Sequence, residues 1–200
     1  MTRDPLALSA PVRGRALDAA RALLEETGVD GLHLRAIAAR IGSGVATLYY
    51  HFADKEALLA ALAVEGWREL AGKIERARTS GKYPHQIDGA SAAYLGFIRR
   101  NPQLYTLMQT QQAVAGREAV HTAEQQAFAT FRNSLHGDPR APAERVEEIA
   151  LVCWVLGRGI ASAVQMRSDD EPGSADRLIE TVLSGFAFLL APRLGPQGPS

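Results

Sequence analysis

The sequence predicts an all-α protein, and three observations carry that expectation. Runs rich in Ala, Leu, Arg and Glu, at residues 13–26 and 54–78, favour helix. No stretch alternates apolar and polar residues with β-branched enrichment over the length of a strand. Turn-forming clusters at residues 79–84, 137–142 and 168–174, and from Pro192 onward, divide the helical runs. With 200 residues, 46% hydrophobic and 22% charged, the chain has enough apolar surface to offset its conformational entropy without staples.

Composition also excludes several classes. The single cysteine, Cys153, rules out an internal disulfide framework and a four-ligand zinc module. The longest apolar stretches, such as residues 149–156, fall short of the roughly 20 residues of a membrane span. Residues 1–11 lack a basic-then-apolar leader, so a soluble, cytoplasmic protein is expected. Lys and Arg total 22 and Asp and Glu total 22, which argues against a nonspecific polycation but leaves room for a local basic surface.

Taken in order, a first helix over residues 12–27 stops at Gly28, and two helices of about seven residues follow between Leu34 and Phe52. Ile37, Ala38 and Ile41 give the first of these an apolar face; Gly42-Ser43-Gly44 breaks the pattern; Val45, Leu48, Tyr49 and Phe52, spaced i, i+3, i+4, i+7, give the second an inner face. Helices this short require flanking helices for support, here residues 12–27 and 55–78, the latter capped by Asp54. Asn101-Pro102 places a cap before a first-turn proline. The pattern predicts a helix-turn-helix inside a helical bundle.

Residues 31–53 contain Arg35, Arg40, His33 and His51 and no acidic residue, and Lys55 extends this basic edge. With Val45, Leu48, Tyr49 and Phe52 turned inward, Ala46, Thr47, Tyr50 and His51 face outward, where a DNA major groove can receive them. Leu48 and Phe52 read as core; for Tyr49, core packing and phosphate contact are both open. His51 has no second ligand at metal spacing, so no metal site is expected. The string at residues 42–47 half-matches a dinucleotide fingerprint, but that motif follows a strand, and here a helix precedes it. Gly157-Arg158-Gly159, inside an apolar helix, reads as close helix packing and not as a phosphate loop.

The run from Gly42 to Leu58, with its Thr47-Leu48-Tyr49-x-His51-Phe52-x-x-Lys55 core, closely resembles the signature of TetR/AcrR-type repressors. The resemblance reaches upstream through residues 16–34 and covers about the first quarter of the chain; the remainder is similar mainly in architecture. Ser43, where the family usually has an apolar residue, is a departure that loosens turn packing. The resemblance implies that Arg35 and Lys55 grip phosphates and that Gly44, Val45, Ala46, Thr47, Tyr49, Tyr50 and His51 form the recognition surface. Within it, Thr47 and His51 lean to phosphate and Ala46 and Tyr50 to base edges.

Further along, residues 144–166 are apolar on more than one stripe, and residues 175–190 repeat this with two apolar rows. Either both helices meet symmetry mates in a four-helix isologous interface, as in the family, or both are central in a monomer. Residues 101–108 together with 154–159 resemble one C-terminal subclass of these regulators, in which a histidine commonly stands where this chain has Arg158. An arginine in so apolar a helix pairs with a carboxylate, snorkels outward or meets an anionic ligand.

The family implies a ligand cavity among Tyr94, Phe97, Tyr105, Met108, Gln112, Phe128, Phe131, Trp154 and Arg158. Many of these double as core residues. The expected division is a DNA-binding domain at residues 10–56, a ligand-binding and dimerisation domain at 57–192 and a flexible tail at 193–200. The expected function is a ligand-responsive, homodimeric repressor of a palindromic operator, released by a small molecule and needing no cofactor. No nucleophile, base or paired-carboxylate constellation favours an enzyme, and the basic segment disfavours a helical interaction module without a DNA role.

Overall fold

The computed structural model describes residues 5–112, 117–166, 177 and 180–181. Its elements are α1 (Pro5–Thr27), α2 (Leu34–Ile41), α3 (Val45–His51), α4 (Lys55–Arg78), α5 (Gln86–Arg100), α6 (Pro102–Gln112), α7 (Glu118–Asn133), a single 3-10 turn (Ala143–Arg145) and α8 (Val146–Met166). The described residues contain helices and no strand, in agreement with the all-α expectation. The expected helix at 175–190 lies outside the described residues except for Arg177, Glu180 and Thr181. The chain divides into two compact units, residues 1–154 and 155–200.

Local chemistry sets most boundaries. α1 is longer than expected because Pro5 suits a first helical position and the Ala- and Leu-rich residues after it sustain the helix. It stops at Gly28, whose φ of +70° is open to glycine without a Cβ penalty. α2 ends in the same way at Gly42 (φ +64°), where the Gly42 and Ser43 amides donate back to the Ala39 and Ala38 carbonyls in a Schellman arrangement. At α4 the Asp54 carboxylate accepts from the Ala57 amide at 2.7 Å, so the expected cap is present.

The cap expected at Asn101 is not the one observed. Asn101 turns its side chain elsewhere: Nδ2 donates to the Phe97 carbonyl and Oδ1 accepts from Arg21. The first-turn amide of Leu104 is instead satisfied by the Glu25 carboxylate of α1 at 3.1 Å. A residue 79 positions away does the work of a local cap.

α4 is the axis of the first unit. It packs against α5, α6 and α7, while α1 packs against α2, α3, α4 and α6. Leu62, Trp67, Leu70 and Ile74 of α4 are buried, with Ala16, Leu17, Ala20 and Leu24 of α1 and Leu32, Ile37 and Leu48 beside the turn. Close approach between α4 and α5 depends on Gly89, where a Cβ would stand 2.6 Å from the Ala77 carbonyl oxygen.

Candidate nucleic-acid interface and effector body

The helix-turn-helix is small because its two inner anchors suffice. Leu48 and Phe52 are buried as expected, four residues apart on the inner side. Tyr49 is not: 55% of its surface is exposed, so the core alternative for this residue is corrected. One position along a helix rotates a side chain by about 100°, which carries Tyr49 off the Leu48 stripe. Tyr50 is more exposed still, at 73%, and Ala46 and Thr47 are exposed beside it. Gly44 stands exposed as the N-cap of α3, and Val45 is half-buried. His51 is half-buried, its Nε2 buried without a hydrogen-bond partner and its ring edge-on to Tyr50.

Around α3 the cations divide into two groups. Arg35 is exposed on the first turn of α2. Arg40 spends its charge on α1, donating to both Glu26 carboxylate oxygens at 2.7 and 2.6 Å. The pairing raises the Arg40 pKa and lowers that of Glu26, in both cases chiefly through these hydrogen bonds. The segment without acids in sequence therefore has an acid beside it in space. Lys55 donates to the Val29 carbonyl at 2.8 Å, tying the first turn of α4 to the turn after α1.

A notch of about 350 Å³ opens between these elements, lined by His33, Leu34, Arg35, Tyr49, Asp54 and Lys55. His33 caps α2 without a side-chain bond to it, which leaves first-turn amides of α2 without a capping side chain. A helix N-terminus beside Arg35, Lys55 and a tyrosine hydroxyl is chemistry suited to a phosphate oxygen. His33 was not singled out from the sequence as a site residue. Its position before an uncapped short helix, within the basic segment, was the available signal.

The body holds a buried aromatic cluster. Trp154 lies 5.0 Å from Tyr94, 5.5 Å from Phe128, 5.7 Å from Phe131 and 6.0 Å from Trp67, between ring centroids. The Tyr94 and Tyr105 hydroxyls share a 2.5 Å hydrogen bond, and Trp154 Nε1 donates to the buried Glu124 carboxylate. Of the residues expected to line a ligand cavity, Tyr94, Tyr105, Phe131 and Trp154 are thus brought together in one cluster, with Phe128 half-buried at its edge. Phe97 and Met108 are fully buried, Arg158 is half-buried on α8, and the Gln112 side chain is outside the described residues. Gly159 has open space where a Cβ would be, so close packing at this glycine is not seen within the chain.

Polar contacts join the helix-turn-helix to the body. Arg21 of α1 bridges Glu69 of α4 and Asn101 at the end of α5, Glu25 caps α6, and Arg117 reaches Glu56 at 3.4 Å. Burial pulls the Glu69 carboxyl pKa up, but hydrogen bonds and charge from Arg21 and Lys73 hold it below its ordinary value. No described group of three His, Cys, Asp or Glu is placed to hold a metal. No described helix is long and apolar enough to cross a membrane.

Fold and surface together define a helix-turn-helix regulator carried on an all-helical body. Comparison with known proteins gives the family. Residues 16–62 match the model of bacterial regulatory proteins of the tetR family, and residues 87–186, half of the chain, match the tetracyclin repressor-like C-terminal domain. The chain belongs to the TetR family.

The class D tetracycline repressor of Escherichia coli is 53% identical over 53 residues, 26% of this chain and 24% of that protein. The chain therefore matches only about a quarter of that relative's length. The transcriptional repressor KstR of Mycolicibacterium smegmatis is 27% identical over 169 residues, 78% of this chain and 83% of its own. Among solved structures, a protein of unknown function from Rhodococcus sp. RHA1 superposes with a TM-score of 0.71 at 28% identity, covering 90% of this chain and 95% of the other.

Proposed function

We propose that this chain is a ligand-responsive transcriptional repressor that binds a palindromic operator as a homodimer and is released when a small molecule enters the C-terminal body. The observation that carries this reading is the presentation of α3: Ala46, Thr47, Tyr49 and Tyr50 exposed on one short helix, beside a notch holding Arg35 and Lys55. Phosphate contacts at the notch set register, and the outward face of α3 reads base edges. Leu151, Val152 and Val155, all large, apolar and exposed on α8, support a self-complementary dimer contact.

The buried cluster of Tyr94, Tyr105, Phe128, Phe131 and Trp154, with Phe97 and Met108 nearby in the core, supports an effector site in the body. α4 runs from the notch to this cluster, so a ligand that favours one arrangement of α4 changes the separation of the two α3 helices. The two family-model spans support a division at residues 10–56, 57–192 and 193–200. The protein acts by binding and not by catalysis, in the cytoplasm.

Selection of bound duplexes from a random-sequence library at about 150 mM salt, where phosphate contacts are screened but not abolished, tests the reading. The mass of the free protein is measured alongside. An enriched palindrome with a dimeric mass is expected. A well-folded protein that enriches no sequence overturns it.

A further inference from the structure

Two polar atoms in the body have no hydrogen-bond partner although they are buried: Nε1 of Trp67 and Oε1 of Gln111. Trp67 is fully buried and Gln111 is 4% exposed, and neither was expected from the sequence to line a ligand site. Both lie on the packing seam of α4 with α6. A Cβ on Gly66 would stand 2.6 Å from Met108 Sδ and 3.4 Å from a Leu104 methyl, so this turn of α4 rests on the Leu104 and Met108 face of α6. Gln111 continues that face, one turn past Met108. Trp67, next to Gly66, sets its ring edge-on to Tyr105 at 6.0 Å and stacks on Trp154 at 6.0 Å.

We infer that the seam between α4 and α6 is the polar anchor of the effector site, and that it takes a neutral, flat molecule bearing a hydrogen-bond acceptor beside a donor, as in an aromatic carboxamide or lactam. The inference rests on the regulator reading above and adds the chemical class of the ligand. An indole N–H donates only, and a glutamine side-chain oxygen accepts, so the pair asks for one acceptor and one donor from a single partner. Buried groups of this kind are almost always paired in native structures, and two on one seam mark a place where a ligand supplies what the chain does not.

Flatness follows from the walls, which are the rings of Trp67, Tyr105 and Trp154. Neutrality follows from the lining, because Gly66, Trp67, Leu104, Tyr105, Met108 and Gln111 carry no formal charge to balance one on the ligand. Room comes from Met108, an unbranched thioether that can rotate away from Gly66. A ligand seated here parts α4 from α6 directly, and α4 begins at the helix-turn-helix.

The test uses the full chain and four probes of similar size: the lactam 1(2H)-isoquinolinone, naphthalene, 1-naphthoate and protonated 1-aminomethylnaphthalene. Unfolding midpoints and tryptophan-fluorescence titrations are recorded for the wild type, Trp67→Phe and Gln111→Leu. The lactam is expected to raise the wild-type midpoint more than any other probe and to bind about tenfold more weakly to each variant, the loss of one hydrogen bond. Without probe, both variants are expected to unfold at the wild-type temperature or above, since each removes an unpaired buried group. Stronger stabilisation by naphthoate or the ammonium, undiminished lactam binding in both variants, or no lactam binding at all overturns the inference. Wild-type duplex binding, measured in parallel, separates the two failures: duplex binding without a lactam response refutes the ligand class alone, whereas absence of duplex binding refutes the regulator reading.

Discussion

Replacing Arg21 by Met should loosen the helix-turn-helix from the body at its main polar joint. Nη1 of Arg21 pairs with Glu69 of α4 and Nη2 donates to Asn101 Oδ1 at 2.5 Å, so one guanidinium ties α1 to two other segments. Its side chain is only 33% exposed, and that of Glu69 is 30%. An exposed pair contributes about 0–1 kcal/mol, and breaking a fully buried one costs about 3–5 kcal/mol. A third exposed, and with Asn101 Oδ1 left buried, this joint should be worth about 2 kcal/mol.

For a chain of this length that is a fall in Tm of roughly 4–8 °C, with methionine retaining the packing of the arginine stem. The assay is urea unfolding of wild type, Arg21→Met, Glu69→Gln and the double variant, with a coupling of about 1–2 kcal/mol expected. Glu69 has a lowered folded pKa, so its contribution is complete above its unfolded value and is lost as pH falls through the folded one. The cost of Arg21→Met should shrink accordingly in acid. A loss below about 0.5 kcal/mol, or strictly additive single substitutions, would refute the joint.

Three further outcomes are expected. Gly89→Ala forces a Cβ against the Ala77 carbonyl at 2.6 Å, backbone that cannot rotate away, and should lower stability by about 1–3 kcal/mol in the same urea assay. Asp138, which accepts from Arg140 through both carboxylate oxygens, has its pKa lowered to about 2, chiefly by those hydrogen bonds. Its stabilisation is therefore full above about pH 4 and disappears towards pH 2. Asp138→Asn should cost about 1–2 kcal/mol at neutral pH and little at pH 2, the partner's exposure holding the figure down, as acid-titrated thermal unfolding will register. On a selected duplex, Lys55→Ala should weaken all sequences alike and flatten the salt dependence, whereas Tyr50→Ala should relax sequence preference by about 1–3 kcal/mol; equal losses on every sequence for Tyr50 would exclude base reading.

Where local chemistry governs, the sequence was legible. Asp54 and Lys55 set the start of α4, Gly28 and Gly42 stop α1 and α2, and the i, i+4 pair Leu48 and Phe52 identifies the buried side of the helix-turn-helix. The family motif carried the recognition surface. What was not legible depends on partners far away in the chain. Asn101 looks like a cap, yet Arg21, 80 residues before it, takes its oxygen, and Glu25 caps α6. Arg40 counts as a free cation in a segment without acids until α1 brings Glu26 beside it. The unpaired atoms of Trp67 and Gln111 leave no sequence trace, because an unmet hydrogen bond is a property of the packed seam.

The most direct test of the central claim, that two α3 helices of one dimer read two half-sites, is a spacing series on the selected operator. Half-sites about one helical turn apart, roughly 34 Å, suit two fixed recognition helices. Inserting about 5 base pairs between them turns one half-site to the opposite face of the duplex, while about 10 base pairs restores the face at greater distance. The account predicts that affinity collapses to that of a single half-site with the shorter insertion and recovers in part, or not at all, with the longer. Unchanged affinity across the series would contradict simultaneous docking.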